Sequence, residues 1–422
     1  MNEQRKPKEY DAVLGGNNPP PVDGLVLGGI EGIKRSLESH DLKIIKTALT
    51  DAIPYQEEGL NLVIKALYDS PQKIRQHAVK ILRKNQTVKA EQALLDYDPQ
   101  SLFTQFSDWN LKDFNLESYL NDPVNTAYRI DIAEFENIIS EIKNIEPQGS
   151  KIEALYCSMS DGFYRYVEEP FTVFVDYLLH YYPQLTNLKA LFFADESNDR
   201  GERRWEYKRY RVGLDEASLI LEAYPQLEFL RIQGRCSLGF SHIKHDHLKS
   251  LIVETRSLDY KTLEEIIILD LPKLEYLEIW LGADFDYRIK RFQGQNNDVE
   301  FLTNLLLPLL LEESFPNLKY LGFCSCEWAD DLVTFLQNSP IIERLRILNL
   351  ARGTLTDKGA EVLLNCPAIN NLHTLDVSMN LLSPEMVKNL SQLNCNVIAE
   401  PQDVDILYED NVGQDRYHSL YE

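Results

Sequence analysis

A short apolar pattern recurs along residues 151–398 of the chain. The pattern is Leu-x-x-Leu-x-Leu, with other apolar residues at some positions, and consecutive copies start 21 to 44 residues apart. Eight copies start at Ile152, Leu188, Leu227, Leu248, Leu274, Leu318, Leu345 and Leu372. Apolar residues at alternate positions predict a short strand with one buried side. Amphipathic segments between the copies predict helices, and a proline before several strands ends the preceding helix.

These alternating units resemble the leucine-rich repeat family, in the longer, helix-backed form found in ribonuclease inhibitor. The last two copies match best: residues 345–355 read Leu-x-x-Leu-x-Leu-x-x-x-x-Leu, and residues 372–382 read Leu-x-x-Leu-x-Val-x-x-Asn-x-Leu. The resemblance implies an α/β solenoid with a parallel β-sheet and helices on its convex side. It also implies that the residues between the consensus leucines face outward on a concave sheet.

The predicted concave face is rich in large side chains. The residues that we expect to bind a partner are Tyr156, Phe192, Phe229, Arg231, Ile252, Tyr276, Glu278, Trp280 and Tyr320. Exposed aromatic residues clustered on one sheet are typical of a protein-binding surface. In the alternative interpretation, inserted loops fold over the concavity and bury the rings within the monomer. Two long insertions, 197–211 and 282–298, are the candidates for such loops.

The first 100 residues have a different pattern. A Pro- and Gly-rich lead-in is followed by apolar residues at helical spacing, and a 30-residue offset superposes residues 39–68 on residues 69–98. Each segment predicts a helix, a short turn and a second helix. The second segment has Asp69, Arg75, Ala78 and Leu82 at the spacing of the HEAT-like repeat signature, which it resembles. The chain is therefore divided into a helical segment (1–100), a capping or linking segment (101–150), a leucine-rich repeat domain (151–398) and an acidic tail (399–422).

The net charge of -23 narrows the choice of partner. Residues 1–100 contain 14 acidic and 14 basic side chains, so the excess negative charge lies entirely downstream of residue 100. Nucleic acid and anionic lipid are disfavoured because both require a cationic surface, and a protein partner with a basic surface is favoured. The basic and aromatic insertion 197–211 could bind an acidic peptide or a single-stranded nucleic acid, but we favour a loop that neutralises part of the negative charge of the rest of the protein.

The sequence shows no secretory signal and no membrane-spanning segment. Its six cysteines do not follow the regular spacing of a disulfide framework, which is typical of a reduced, cytoplasmic protein.

The sequence contains no recognisable catalytic motif, and we predict no cofactor. The motif His242-x-x-His245-x-His247 is interpreted as a solvated turn rather than a metal site, because no paired carboxylate or thiolate accompanies it. Cys324 and Cys326 lack the spacing of a redox pair.

We therefore expect a non-catalytic scaffold or adaptor that binds a protein through the concave face. Two alternatives stay open. The HEAT-like segment is also similar to the repeats of bilin lyases, which implies a lyase-like or chaperone-like protein. The resemblance to ribonuclease inhibitor allows a regulatory inhibitor of an enzyme.

Overall fold

The computed structural model describes residues 29–121, 125–146, 150–159, 170–195, 217–234, 239–255, 258, 260–282, 298–311 and 314–402. The chain divides into two compact units, residues 1–103 and residues 104–422. The lead-in 1–28, the insertion 197–211, residues 283–297 of the second insertion and residues 403–422 of the tail lie outside the described residues.

The first unit is helical in its described part. Its helices are α1 (Ile30–Leu37), α2 (Leu42–Ala52), α3 (Gln56–Lys65), α4 (Gln72–Asn85) and α5 (Val88–Tyr97), with short 3-10 turns at Ile53–Tyr55 and Pro99–Leu102. Helices α2 and α3 form one helix–turn–helix pair and α4 and α5 the next, as the 30-residue offset predicts. Asp41 caps α2 by accepting from the Lys43 N–H at 2.8 Å, and Thr87 caps α5 by accepting from the Ala90 N–H at 3.3 Å.

The second unit is built on one sheet of 11 parallel strands in strictly sequential order. The strands are β1 (Asn110–Asp113), β2 (Thr126–Asp131), β3 (Ala154–Met159), β4 (Ala190–Asp195), β5 (Phe229–Gly234), β6 (Ser250–Thr255), β7 (Tyr276–Trp280), β8 (Tyr320–Cys324), β9 (Ile347–Asn349), β10 (Thr374–Asp376) and β11 (Asn396–Ile398). Neighbours in sequence are neighbours in the sheet, which is the arrangement of a solenoid. The predicted α/β class and parallel-sheet solenoid are confirmed.

Helices connect most of the strands. They are α6 (Leu116–Asn121), α7 (Ile132–Ile145), α8 (Pro170–His180), α9 (Ala217–Ala223), α10 (Tyr260–Ile267), α11 (Asp298–Leu310), α12 (Ala329–Gln337), α13 (Ile341–Arg344), α14 (Asp357–Leu364) and α15 (Pro384–Leu390). Their apolar faces join the leucine side of the sheet in one continuous core. No helix within the described ranges is long and apolar enough to cross a membrane.

The predicted strand register is confirmed by the core. The second leucines of the eight motifs pair side by side across strands β3 to β10. These leucines, each 0% exposed, are Leu155, Leu191, Leu230, Leu251, Leu277, Leu321, Leu348 and Leu375. One apolar row therefore supports every repeat, because it is buried between the sheet and the helices.

Three strands lack the leucine pattern and were not predicted. In β2, Tyr128 pairs with Leu155 and is itself 0% exposed, so a buried tyrosine occupies the leucine position. In β1 this position is held by Lys112, which is exposed. In β11 it is held by Val397 at the end of the sheet. The predicted capping segment thus contributes two strands to the sheet.

Candidate binding face of the sheet

The side of the sheet that faces away from the helices is the front face, which corresponds to the predicted concave face. In strands β3 to β11 the first and third residues belong to it, as does the fifth where the strand is long enough. Tyr156, Phe192 and Ala194 form a cluster on this side that is separate from the main core. All nine residues predicted to bind a partner lie in these front-face positions.

A short segment of the chain covers the first part of this face. This covering segment, Thr104–Asp108, brings the ring of Phe106 within 5.6 to 6.1 Å of the rings of Tyr156, Phe192 and Phe229, measured between ring centroids. The hydroxyl of Ser250 on β6 donates to the Thr104 carbonyl at 2.6 Å. The segment is thus fixed to the face by aromatic contacts and by a buried hydrogen bond.

The prediction that the aromatic residues form an exposed patch is wrong. Phe229 is 1% exposed, Phe192 is 7% and Tyr156 is 9%, because Phe106 packs against all three. Tyr276 (3%), Tyr320 (1%), Trp280 (8%) and Ile252 (5%) are buried as well. The covering chain is the start of the repeat unit, which sequence reasoning had not placed over the face.

A partly exposed arginine and a buried glutamate form an ion pair next to this cluster. Arg231 on β5 donates to Oε2 of Glu254 on β6 at 2.5 and 3.1 Å, and Glu254 is 5% exposed. The guanidinium of Arg231 also lies 4.4 Å from the centre of the Phe192 ring. A buried carboxylate requires such a cationic partner. The ion pair therefore lies at the end of the apolar part of the front face.

Glu278 on β7 is the centre of a hydrogen-bonded network in the other half. Its Oε2 accepts from the hydroxyls of Tyr276 and Tyr320, both at 2.6 Å, and its Oε1 accepts from Trp280 Nε1 at 2.9 Å. The rings of Tyr276 and Tyr320 stack with centroids 3.7 Å apart. Three donors hold the carboxylate in one orientation.

The neighbouring strands complete the network. Asn349 on β9 donates from Nδ2 to the Tyr320 hydroxyl at 2.9 Å, and its Oδ1 accepts from the Ala351 N–H at 2.9 Å. Gly322 lies between Glu278 and Asn349 in the register. A Cβ at this position would lie 3.0 Å from Glu278 Cγ and 3.1 Å from Tyr320 Cε1, so glycine leaves room for both side chains.

The local charge on this half is negative. Burial raises the pKa of the Cys324 thiol well above its usual range, and the carboxylates of Glu278, Asp376 and Glu254 raise it further. Burial and the charge of Glu278 likewise raise the pKa values of Tyr276 and Tyr320. Among the described residues, no cationic side chain forms an ion pair with Glu278 or Asp376. Arg352 places a cation beside this half: its guanidinium lies 5.6 Å from the centre of the Trp280 ring, and its charge opposes the rise in the pKa of Cys324.

A polar row on this half is partly open to solvent. Glu278, Asn349 and Asp376 occupy the same register position on β7, β9 and β10, and each is partly exposed. Asp376 accepts from the backbone N–H and the hydroxyl of Ser378 at 3.0 and 2.7 Å. We call Glu278, Asn349 and Asp376 the polar row. Neighbouring strands are about 4.8 Å apart, so the row presents fixed acceptors over roughly 15 Å.

The histidine motif has a structural role at its centre. His245 is 3% exposed, so the prediction of a fully solvated turn is wrong. Its Nε2 pairs with the Tyr224 carbonyl at 3.1 Å, and its Nδ1 accepts from the backbone N–H groups of His247 and Leu248. Burial lowers the pKa of His245. Nowhere in the described part of the chain do three or more potential metal ligands cluster.

Sequence reasoning places Gly322 and Asn349 at outward positions without selecting them as site residues, and it does not place Phe106 on this face. Asn349 was read as one outward position among many, because alternation alone does not show which side chain it meets. Gly322 carried a signal, since a glycine inside a strand pattern marks a close approach. Phe106 carried none, because it lies about 50 residues before the first strand that it covers.

Comparison with known proteins defines the class of fold. Neither a protein-family model nor a curated protein sequence matches the chain. The crystal structure of a Bacteroides fragilis protein, determined as a structural genomics target, matches with a TM-score of 0.51 and 24% identity, over 69% of this chain and 77% of that one. At this identity the likeness shows a shared fold and nothing about function. The protein is an α/β repeat solenoid with an open parallel sheet.

Proposed function

We propose that the repeat unit is a leucine-rich repeat domain and that the protein is a non-catalytic scaffold, which binds a protein partner through the front face. The family assignment is supported by Asn380 at the consensus asparagine position. Asn380 is 0% exposed, its Nδ2 donates to the Leu350 and Val377 carbonyls at 2.9 and 3.0 Å, and its Oδ1 accepts from the Leu355 N–H at 2.9 Å. An asparagine that joins two consecutive repeats explains why this residue type suits the position.

We also propose that the helical unit is HEAT-like. The two helix pairs that follow each other at a 30-residue offset support this assignment. The signature residues Asp69 and Arg75 argue less for it, because neither forms an ion pair with another described residue. The HEAT-like assignment therefore rests on the packing of α2 against α4 and of α3 against α5, and not on ion pairs between the repeats.

The main support for the binding proposal is that the side chains of the polar row are held in fixed orientations. Glu278 is held by three donors, Asn349 by its bonds to Tyr320 and Ala351, and Asp376 by Ser378. Side chains that are already fixed lose little conformational entropy when a partner docks. The row contains two carboxylates and is partly open to solvent, so it suits lysine or arginine side chains on the partner. The buried rings serve as the support of the row.

The test is a comparison of two charge-matched variants. Glu278→Gln/Asp376→Asn removes two charges from the row, and Glu361→Gln/Glu385→Gln removes two from exposed positions on the helices α14 and α15. Partners are captured from the native host with the wild-type protein and identified by mass spectrometry, and their affinity for each purified variant is measured. We expect the front-face variant to lose about tenfold in affinity and the helix variant less than about twofold. An equal loss in both would contradict the proposal.

A further inference from the structure

Helix α4 of the helical unit carries positive charge only. Its 14 residues, Gln72–Asn85, include five lysines and arginines and no acidic residue. Lys73, His77, Lys80 and Lys84 follow one another at intervals of four, three and four residues. Residues at this spacing lie on one face of a helix.

Helix α2 extends this face. His77 Nε2 lies 3.0 Å from the Lys46 carbonyl and 3.1 Å from the Thr50 hydroxyl, so the two helices are joined side by side at this histidine. Lys43 and Lys46 are one turn apart on α2. We define the lysine face as Lys43, Lys46, Lys73, Lys80 and Lys84.

Charges of the lysine face affect the pKa of His77. Burial lowers the pKa of His77, and the charges of Lys46, Lys80 and Lys84 lower it further, against the opposing effect of the bond to the Lys46 carbonyl. Lys46, Lys80 and Lys84 thus all lie close enough to His77 to affect its pKa. The lysines stand near one another on the helix surface.

Ion pairing differs between four lysines of this face and two other lysines of the unit. Lys34 pairs with Glu31 and Glu58 at 2.7 and 2.8 Å, and Lys89 pairs with Glu57 at 2.7 Å. By contrast, Lys43, Lys46, Lys73 and Lys84 form no ion pair with any described residue. Like charges within a few residues repel one another, and an anionic partner removes that cost.

We propose that the lysine face is a docking surface for a short acidic segment of a partner protein. Exposed apolar residues flank Lys43 in the first turn of α2, where Leu42 is 37% and Ile44 is 46% exposed. They favour a peptide with apolar residues among its carboxylates over nucleic acid. A long polyanion or an anionic membrane is disfavoured by the net charge of -23. The proposal does not depend on the function proposed for the front face.

The test uses the full chain and a short fluorescein-labelled peptide of repeated Glu-Glu-Leu. The variant Lys46→Glu/Lys80→Glu/Lys84→Glu reverses the lysine face. The matched control, Lys273→Glu/Lys358→Glu/Lys388→Glu, makes the same change in net charge at exposed positions of the repeat unit. We expect the wild type to bind the peptide, the first variant to lose about tenfold or more in affinity and the control less than about twofold. Fluorescence anisotropy at low salt provides the measurement.

Further arms identify the class of ligand. Leu42→Ser/Ile44→Ser should weaken the binding of the Glu-Glu-Leu peptide and leave the affinity for an all-glutamate peptide unchanged. Circular dichroism verifies folding, and if the Glu variant unfolds, the Gln variant at the same positions should still lose about threefold. Equal losses in the face variant and the control would overturn the proposal. So would the absence of peptide binding, or tighter binding of a DNA duplex or of phosphatidylserine vesicles than of the peptide.

Discussion

The two halves of the front face are built from the same strand positions but differ in how those positions are satisfied. On β3 to β6 three aromatic rings are covered by Phe106 from the start of the repeat unit, and an arginine–glutamate pair lies beside them. On β7 to β10 the rings of Tyr276 and Tyr320 stack on each other and direct their hydroxyls to Glu278. The first half is a small second core, and the second half ends in polar groups that are partly open to solvent.

This difference shows what an outward-facing aromatic residue means in a repeat protein. Strand alternation gives the side of the sheet on which a ring lies, and it gives that side correctly for all nine predicted residues. Exposure depends also on what covers that side. A large ring left in water is costly, so a nearby segment or a neighbouring ring tends to cover it. A binding surface is therefore better sought among the polar side chains that such rings hold in place.

The largest expected effect concerns the core that both halves share. Leu348 is 0% exposed on β9, and Leu348→Ala should lower the free energy of unfolding by about 2–5 kcal/mol, since it removes buried methyl groups and leaves a cavity. Urea unfolding measures the change. Leu219→Ala, at a position 38% exposed on α9, is the control and should change stability little. Equal stabilities of Leu348→Ala and wild type would mean that the leucine row is not the common core.

The second prediction addresses the covered half. Phe106→Ala should lower the free energy of unfolding by about 2–3 kcal/mol, less than for a fully buried ring because Phe106 is only half-buried. Phe106→Leu keeps much of the apolar contact and should lose less than half as much. Thermal and urea unfolding provide the measurement. An unchanged stability in Phe106→Ala would show that the covering segment does not pack on the face in solution.

The third prediction addresses the open half. Tyr320→Phe removes a hydroxyl that donates to Glu278 and accepts from Asn349, and it should lower the free energy of unfolding by about 1.5–3 kcal/mol. Tyr68→Phe, at a site 53% exposed, should have no measurable effect. Because Phe106 and Tyr320 have no common partner among these contacts, their effects should add within about 0.5 kcal/mol in the double variant. Strong coupling would mean that the two halves form one unit.

The smallest effect is a dependence on alkaline pH. Burial and the charge of Glu278 raise the pKa values of Tyr276 and Tyr320, so both phenols stay neutral in the folded protein while they ionise near pH 10 after unfolding. The unfolded state then releases protons first, and stability falls as the pH rises above about 10, by up to about 1.4 kcal/mol per pH unit for each group. Tyr276→Phe/Tyr320→Phe should show a shallower fall. Parallel pH profiles of the variant and the wild type would contradict the prediction.

Several features could be predicted because they follow from periods of a few residues. The leucine motifs predict β3 to β10 and their register, since a side chain at every second position has one buried side. The 30-residue offset predicts the helix pairs α2–α3 and α4–α5. Strands β1, β2 and β11 escaped prediction because Lys112, Tyr128 and Val397 replace the leucine on which the motif depends.

The sequence by itself determined that this is an α/β repeat protein, where strands β3 to β10 lie and which of their side chains share the front face, because those properties depend on neighbours a few positions away. Only the tertiary structure decided which of those side chains meet water. Phe106 reaches Phe229 across more than a hundred residues of chain, and Tyr320 reaches Glu278 from the next repeat. Such contacts are selected by the packing of whole repeats, so no local pattern of polar and apolar residues records them.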